Sequence, residues 1–189
     1  MKATEPCTVH CATVADLDEI MRLLRIMHQE GGMFPLDEDC ARAMFLRALE
    51  GPTADDPDKK KEGLLGIIRG EGTEIRAMMF LLITRFWYST AFHLEELFNF
   101  VHPDHRHSNY ADALLRFAGH SSEQLGIPLI IGVLTNARMA AKVRLYRRRL
   151  GMPVGAVFVK NATWINERAT DVEMWEHGRG GRRKKMKAA

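Results

Sequence analysis

Cysteine is scarce in this chain. Its 189 residues hold three, Cys7, Cys11 and Cys40, an odd number with no export pattern before it, which argues against a disulfide framework and for reduced thiols. No run of residues is apolar and long enough to span a bilayer, and the N-terminus lacks the basic-then-apolar pattern of a secretory leader. The expectation is a cytoplasmic protein without a membrane partner. Cys7, His10 and Cys11 have no second pair at ligand spacing, so they read as strand packing and no metal is expected. Internal repeats are absent. So is acid after Glu176: Arg179, Arg182, Arg183, Lys184, Lys185 and Lys187 form a basic tail, while the rest of the chain holds 21 basic and 24 acidic residues. The net charge of +3 therefore resides in the last eleven residues. Such a tail, residues 179–187, is the one stretch that could meet nucleic acid, although a solvated tail explains it as well.

What is present is a core-forming composition, 46% hydrophobic, enough for one domain over residues 1–160 followed by a polar extension, 161–189. Loose alternation predicts a first strand over residues 7–13. Leu17, Ile20, Met21, Leu24 and Met27 share one helical face and predict a helix over 15–29, ended by Gly31 and Gly32. Asp37 can cap a second helix with Ala41, Met44, Phe45, Ala48 and Leu49 on its apolar stripe. A polar loop over 51–62 leads to two strands, 64–69 and 75–88, joined by a glycine-bearing hairpin turn; the second is apolar enough to be buried on both faces. A strand beginning near Phe92, a helix over 109–125, a strand over 128–134, a helix from Asn136 to Leu150 and a last strand over 154–160 complete the order β-α-α-β-β-β-α-β-α-β. The fold class is α/β, or α+β with a mixed sheet: the early hairpins are antiparallel, and the strand-helix-strand unit requires a parallel crossover.

Residues 92–115 organise the rest. A strand runs into Pro103 and a helix start beside His105, Arg106 and His107, and unpaired amides with the positive end of a helix dipole suit an anion.

This order, together with Val101, His102, Pro103, Asp104, His105 and Arg106, then Ala113, Leu114 and Leu115, resembles the GNAT superfamily of acyl-CoA-dependent N-acetyltransferases. The resemblance implies acetyl-CoA as co-substrate and a diphosphate held by the loop Arg106, His107, Ser108, Asn109, Tyr110 and Ala111. The family's R-G-x-G-x-G/A pattern has glycine where this chain has His107 and Asn109. Asparagine tolerates the left-handed backbone region better than most residues, so Asn109 is a plausible substitute. A second segment, residues 136–151, is similar to the family's N-x-x-A-x-x-L-Y-x-x-x-G. Tyr146 matches the tyrosine that protonates the departing thiolate; Asn136 stands for the cofactor-contacting asparagine but lies about one helical turn too early. The resemblance further implies a backbone N–H at Phe100 or Val101 polarising the thioester carbonyl, and an acceptor site near Gly31, Gly32, Met33, Phe34 and Pro35. It leaves a homodimer open.

Transfer to an amine needs a carboxylate to take its proton. The central strand offers Glu95 and Glu96, which face opposite ways unless a bulge intervenes. Counting back from Val101, as in family members with a strand-borne base, favours Glu95. The two carboxylates could also be a solvated edge, and Tyr146 a core residue. The implied activity is acetyl transfer from acetyl-CoA to a primary amine of a small molecule or protein. A silent binding domain of the same fold, consistent with the missing glycines, and a nucleic-acid-associated protein remain the alternatives.

Overall fold

A computed structural model of the chain describes residues 7–32, 34–51, 55–56, 58–133 and 139–155. Its elements run β1 (His10–Cys11), α1 (Leu17–Gly31), α2 (Glu38–Leu49), β2 (Gly63–Arg69), β3 (Ile75–Thr84), β4 (His93–Val101), α3 (Tyr110–Leu125), β5 (Leu129–Ile131) and α4 (Met139–Leu150). One five-stranded sheet follows the order of the chain, β1-β2-β3-β4-β5. The first three pairings are antiparallel and β4 with β5 is parallel, joined through α3.

The local reasons are those written in the sequence. Helix α1 buries Leu17, Ile20, Met21, Leu23 and Leu24 on one stripe. Asp37 caps α2, its Oδ1 accepting from the Cys40 amide at 2.9 Å. Gly72 closes the β2–β3 hairpin at φ +61°, and Gly126 ends α3 at φ +65°, a conformation L side chains adopt rarely.

Two cores form, one on each sheet face. Helices α1 and α2 cover Leu65, Ile67, Met78, Phe80 and Phe100; α3 and α4 cover Met79, Leu81, Leu94 and the apolar side of α3, with Tyr146 among them. β3 is buried on both faces from Ala77 to Leu81, as its apolar run predicts.

Several boundaries differ from expectation. β1 is two residues long, because only His10 and Cys11 find partners, Ile67 and Gly66, on β2. β3 stops at Thr84 rather than Tyr88, and Phe86, Trp87 and Tyr88 are exposed. β5 is cut to three residues because β4 turns away from it. The predicted last strand falls mostly outside the described residues, as do the boundary at 160 and the basic tail; Val154 and Gly155 are in no strand. No helix among the described residues is long and apolar enough to cross a membrane.

Candidate active site

A bulge in β4 sets the site. Phe80 of β3 pairs with Phe98, but the next residue, Leu81, pairs with Glu96, leaving Leu97 as the extra residue. An inserted residue exchanges the faces of everything on one side of it. Phe98 and Phe100 therefore join the α1/α2 core, while Glu96 lies with Leu94 and Leu81 on the α3/α4 face. Glu95, paired with Leu82, faces the other way. Of the two candidate carboxylates, Glu96 lines the cavity beside β4 and Glu95 does not. The preference for Glu95 assumed a regular strand, and the bulge at Leu97 removes that assumption.

The same bulge parts β4 from β5. Their pairing covers Leu94, Glu95 and Glu96 against Leu129, Ile130 and Ile131, so among the described residues β4 has an open edge from Leu97 onward. The His102 amide donates to the Arg76 carbonyl at 2.8 Å. Backbone groups alternate sides along a strand, which turns the amide of Phe100 into the β3 ladder and that of Val101 toward the open edge. Between the two amides expected to polarise a carbonyl, Val101 is therefore the accessible one.

A cavity of about 370 Å³ opens along this edge. One wall is the C-terminal end of α1 and the segment after it, with Leu24, Met27, His28, Glu30, Gly31, Gly32 and Phe34; the second is β4 from Glu96 to Val101; the third is Ala141, Lys142 and Leu145 of α4. Arg106, Ser108 and Ala111 close the end next to α3. Of the loop expected to hold an acceptor, Gly31, Gly32 and Phe34 line the cavity, Pro35 does not, and Met33 lies outside the described residues.

Glu96 and Tyr146 meet, both more than nine-tenths buried. The Tyr146 hydroxyl donates to Glu96 Oε1 at 2.6 Å, while Glu96 Oε2 is buried without a partner. Burial pushes the Glu96 carboxyl up to about 7, against the opposing pull of the Tyr146 hydrogen bond and the Lys142 charge. The Tyr146 phenol is pushed up by burial and by Glu96 beside it. Asn99 is buried in the same region: its Nδ2 donates to the Ala111 carbonyl at 3.2 Å, and its Oδ1 has no partner. A buried acceptor left unpaired is unfavourable by roughly 1–3 kcal/mol. Two of them in one region indicate that a donor belongs there.

Two residues of this site have no place in the sequence reading. Asn99 carries no signal. Lys142 does: aligning the family pattern on Leu145 and Tyr146 puts its asparagine at Met139 and its small alanine at Lys142. Burial pulls the Lys142 ammonium down, with Glu96 and Glu30 pulling it up and Arg106 lowering it further. Asn136 lies outside the described residues.

The loop into α3 departs from expectation. Arg106 points back to α1, where its guanidinium pairs with Glu30; its Nε donates to the Val101 carbonyl at 3.4 Å, and it lies 5.8 Å from the Phe100 ring centroid. His107 is exposed and lines no part of the cavity. Asn109 sits at φ −91°, not in the left-handed region, because the chain turns instead through a 3-10 segment, Pro103–His105, and through Ser108. The Ser108 hydroxyl donates to the His105 carbonyl at 2.6 Å and accepts from the Tyr110 amide at 3.2 Å. One amide at the start of α3 is thus already used, and Tyr110 packs against the α3/α4 core. Asp112, in the first turn, holds Arg149 through two bonds of 2.5 and 2.8 Å and also pairs with Arg116. Among the described residues no group of three histidines, cysteines or carboxylates is placed to hold a metal.

A mixed five-stranded sheet with helices on both faces, whose two parallel strands part along their length, is the GNAT acetyltransferase fold, and the chain has it. No family model and no curated protein matches the sequence. Solved structures do match. The ribosomal-protein-alanine N-acetyltransferase of Brucella melitensis biovar Abortus 2308 superposes over 82% of this chain and 99% of its own, with a TM-score of 0.61 at 14% identity. A putative acetyl transferase from Pyrococcus furiosus does so over 82% and 98%, with a TM-score of 0.59 at 17% identity. An integron cassette protein from the mobile metagenome of Cole Harbour Salt Marsh covers 82% and 90%, with a TM-score of 0.58 at 21% identity.

The residues fit the two ends of acetyl-CoA unequally. The open edge of β4, with the Val101 amide and the unpaired acceptors of Glu96 and Asn99, suits an amide-bearing thioester arm. The start of α3, with Ser108 on the Tyr110 amide and Asp112 in the first turn, offers the diphosphate less than a glycine loop would.

Proposed function

We propose that the protein transfers an acetyl group from acetyl-CoA directly to a primary amine, of a small molecule or of a protein, bound where the segment after α1 meets β4. The observation that carries this reading is the bulge at Leu97, which opens the sheet edge and brings to the same cavity Glu96, the carboxylate that accepts from the Tyr146 hydroxyl. Acetyl-CoA supplies the activated acyl group. The Val101 amide, on the open edge, would donate to the oxygen on which negative charge develops. Glu96, with a carboxyl near 7, is matched to neutral pH as a base; it takes the amine proton at Oε2, the oxygen without a partner. Tyr146 releases its hydroxyl proton toward the leaving sulfur and is reloaded from Glu96 across the 2.6 Å bond. No proton need leave the pair for bulk water.

Calorimetric titration with acetyl-CoA, followed by thiol release over a panel of amines, tests this. Saturable binding with amine-dependent thiol release is the expected result. No binding at millimolar acetyl-CoA sinks the reading, and binding without turnover on any amine turns it into a silent domain.

A further inference from the structure

Lys142 is a primary amine within the cavity that the proposed reaction uses. It lies on α4 one helical turn before Tyr146, between the lining residues Ala141 and Leu145, and shares the cavity with Glu96 and the open β4 edge. We infer that Lys142 is itself an acceptor, so that the protein acetylates its own Nζ from acetyl-CoA; this rests on the function proposed above.

The chemistry balances with groups already present. The neutral Nζ attacks the thioester carbonyl carbon, a C–N bond forms and the C–S bond breaks. One Nζ proton passes to Glu96 Oε2, and the sulfur leaves as a thiol with the proton delivered by Tyr146. Burial lowers the ammonium pKa of Lys142, which raises the fraction of free amine over that of a solvent-exposed lysine. The product is a neutral acetamide. It no longer helps to hold Glu96 ionised, and it fills the space beside the open edge, so the modified protein turns over external amines more slowly. The cavity thereby limits its own activity when acceptor is scarce and acetyl-CoA plentiful.

The protein is incubated with acetyl-CoA without an amine, and Lys142 is compared with the exposed Lys60 and Lys61 by peptide mass spectrometry over time. Proximity predicts acetylation of Lys142 at least about tenfold faster than of either, with a first-order rate constant unchanged on dilution of the protein. The fast adduct is lost in Lys142→Arg and slowed in Tyr146→Phe. Thiol release with an external amine, while Lys142 stays unmodified or reacts no faster than Lys60 and Lys61, overturns the inference and leaves the proposed function standing. A Lys142 rate that rises with protein concentration overturns it also. Absence of thiol release with every amine, together with no fast acetylation of Lys142, brings down both.

Discussion

On one face of the sheet Phe45, Phe80 and Phe98 meet with ring centroids 5.3 to 6.3 Å apart, inside a core whose members are all apolar. On the other face, at the same height along β4, the buried groups are Glu96, Asn99 and Tyr146. One residue, the bulged Leu97, separates Phe98 from Glu96. The contrast teaches that this fold sets its aromatic packing and its buried polar pair on opposite sides of a single strand. The first face packs aromatic rings against one another; the second tolerates two unpaired acceptors, as a site that expects a partner must.

The sharpest break in that comparison is a pair of substitutions either side of the bulge. Glu96→Gln keeps the shape and an acceptor for Tyr146 but removes the base; kcat should fall by about 10²–10⁴ while the unfolding midpoint in urea holds or rises, since a buried charge is gone. Phe80→Ala does the reverse. It removes a side chain that does not itself line the cavity and should lower stability by about 3–5 kcal/mol, with the pH profile of the folded fraction unchanged. A loss of kcat in Phe80→Ala beyond its unfolded fraction would show that the two faces are not separate.

Next in size is the response to pH. With Glu96 near 7, kcat/KM should rise about tenfold per pH unit below 7 and level above it. Stability runs against this. The carboxyl ionises at about 7 folded against 4.5 for an unperturbed glutamate, so between those values the folded state holds a proton that the unfolded state has lost. Its contribution is full below about 4.5 and is lost as pH rises to about 7, amounting to roughly 3 kcal/mol. Carboxylates such as Glu19, held down by the hydrogen bond from Arg22, act with the opposite sign, so the quantity to measure is the difference between wild type and Glu96→Gln across that window. Tyr146→Phe deletes the bond that holds the Glu96 carboxyl down, and the activity limb should then move to higher pH. A limb that stays in place in Tyr146→Phe would assign it to a different group.

Much of the fold is legible in the chain because it depends on neighbours a few residues apart. The stripe Leu17, Ile20, Met21 and Leu24, the Asp37 cap and the Gly126 stop each act within a turn or two, and each stands where periodicity puts it. The site is less legible because its partners are distant. Tyr146 finds Glu96 across fifty residues, and Arg106, placed by its motif for a phosphate, finds Glu30 seventy-six residues away. The bulge itself leaves no mark: Glu95-Glu96-Leu97-Phe98 has no glycine or proline, and the extra residue emerges only from matching β4 to β3 on both sides of it. Lys142 was within reach, as a charge where the motif asks for a small side chain, and its meaning depends on a cavity that only the packed helix α4 creates.

The smallest expected effect lies at the start of α3, where the polar face meets solvent. Asp112 there accepts two bonds from Arg149 and one from Arg116, and its charge favours the helix dipole while opposing any diphosphate at the same terminus. Asp112→Asn keeps the size, gives up the charge and frees Arg149 to turn toward an anion. Stability should drop by about 0.5–1 kcal/mol, the scale of a largely exposed ion pair together with its dipole contribution. The affinity for acetyl-CoA should rise severalfold, and more at low salt than at high, because what changes is a charge near the surface. Titration of both proteins at two ionic strengths separates the outcomes. If Asp112→Asn binds acetyl-CoA no better at low salt, the diphosphate does not rest on this terminus, and the open β4 edge would have to hold the co-substrate by its thioester arm alone.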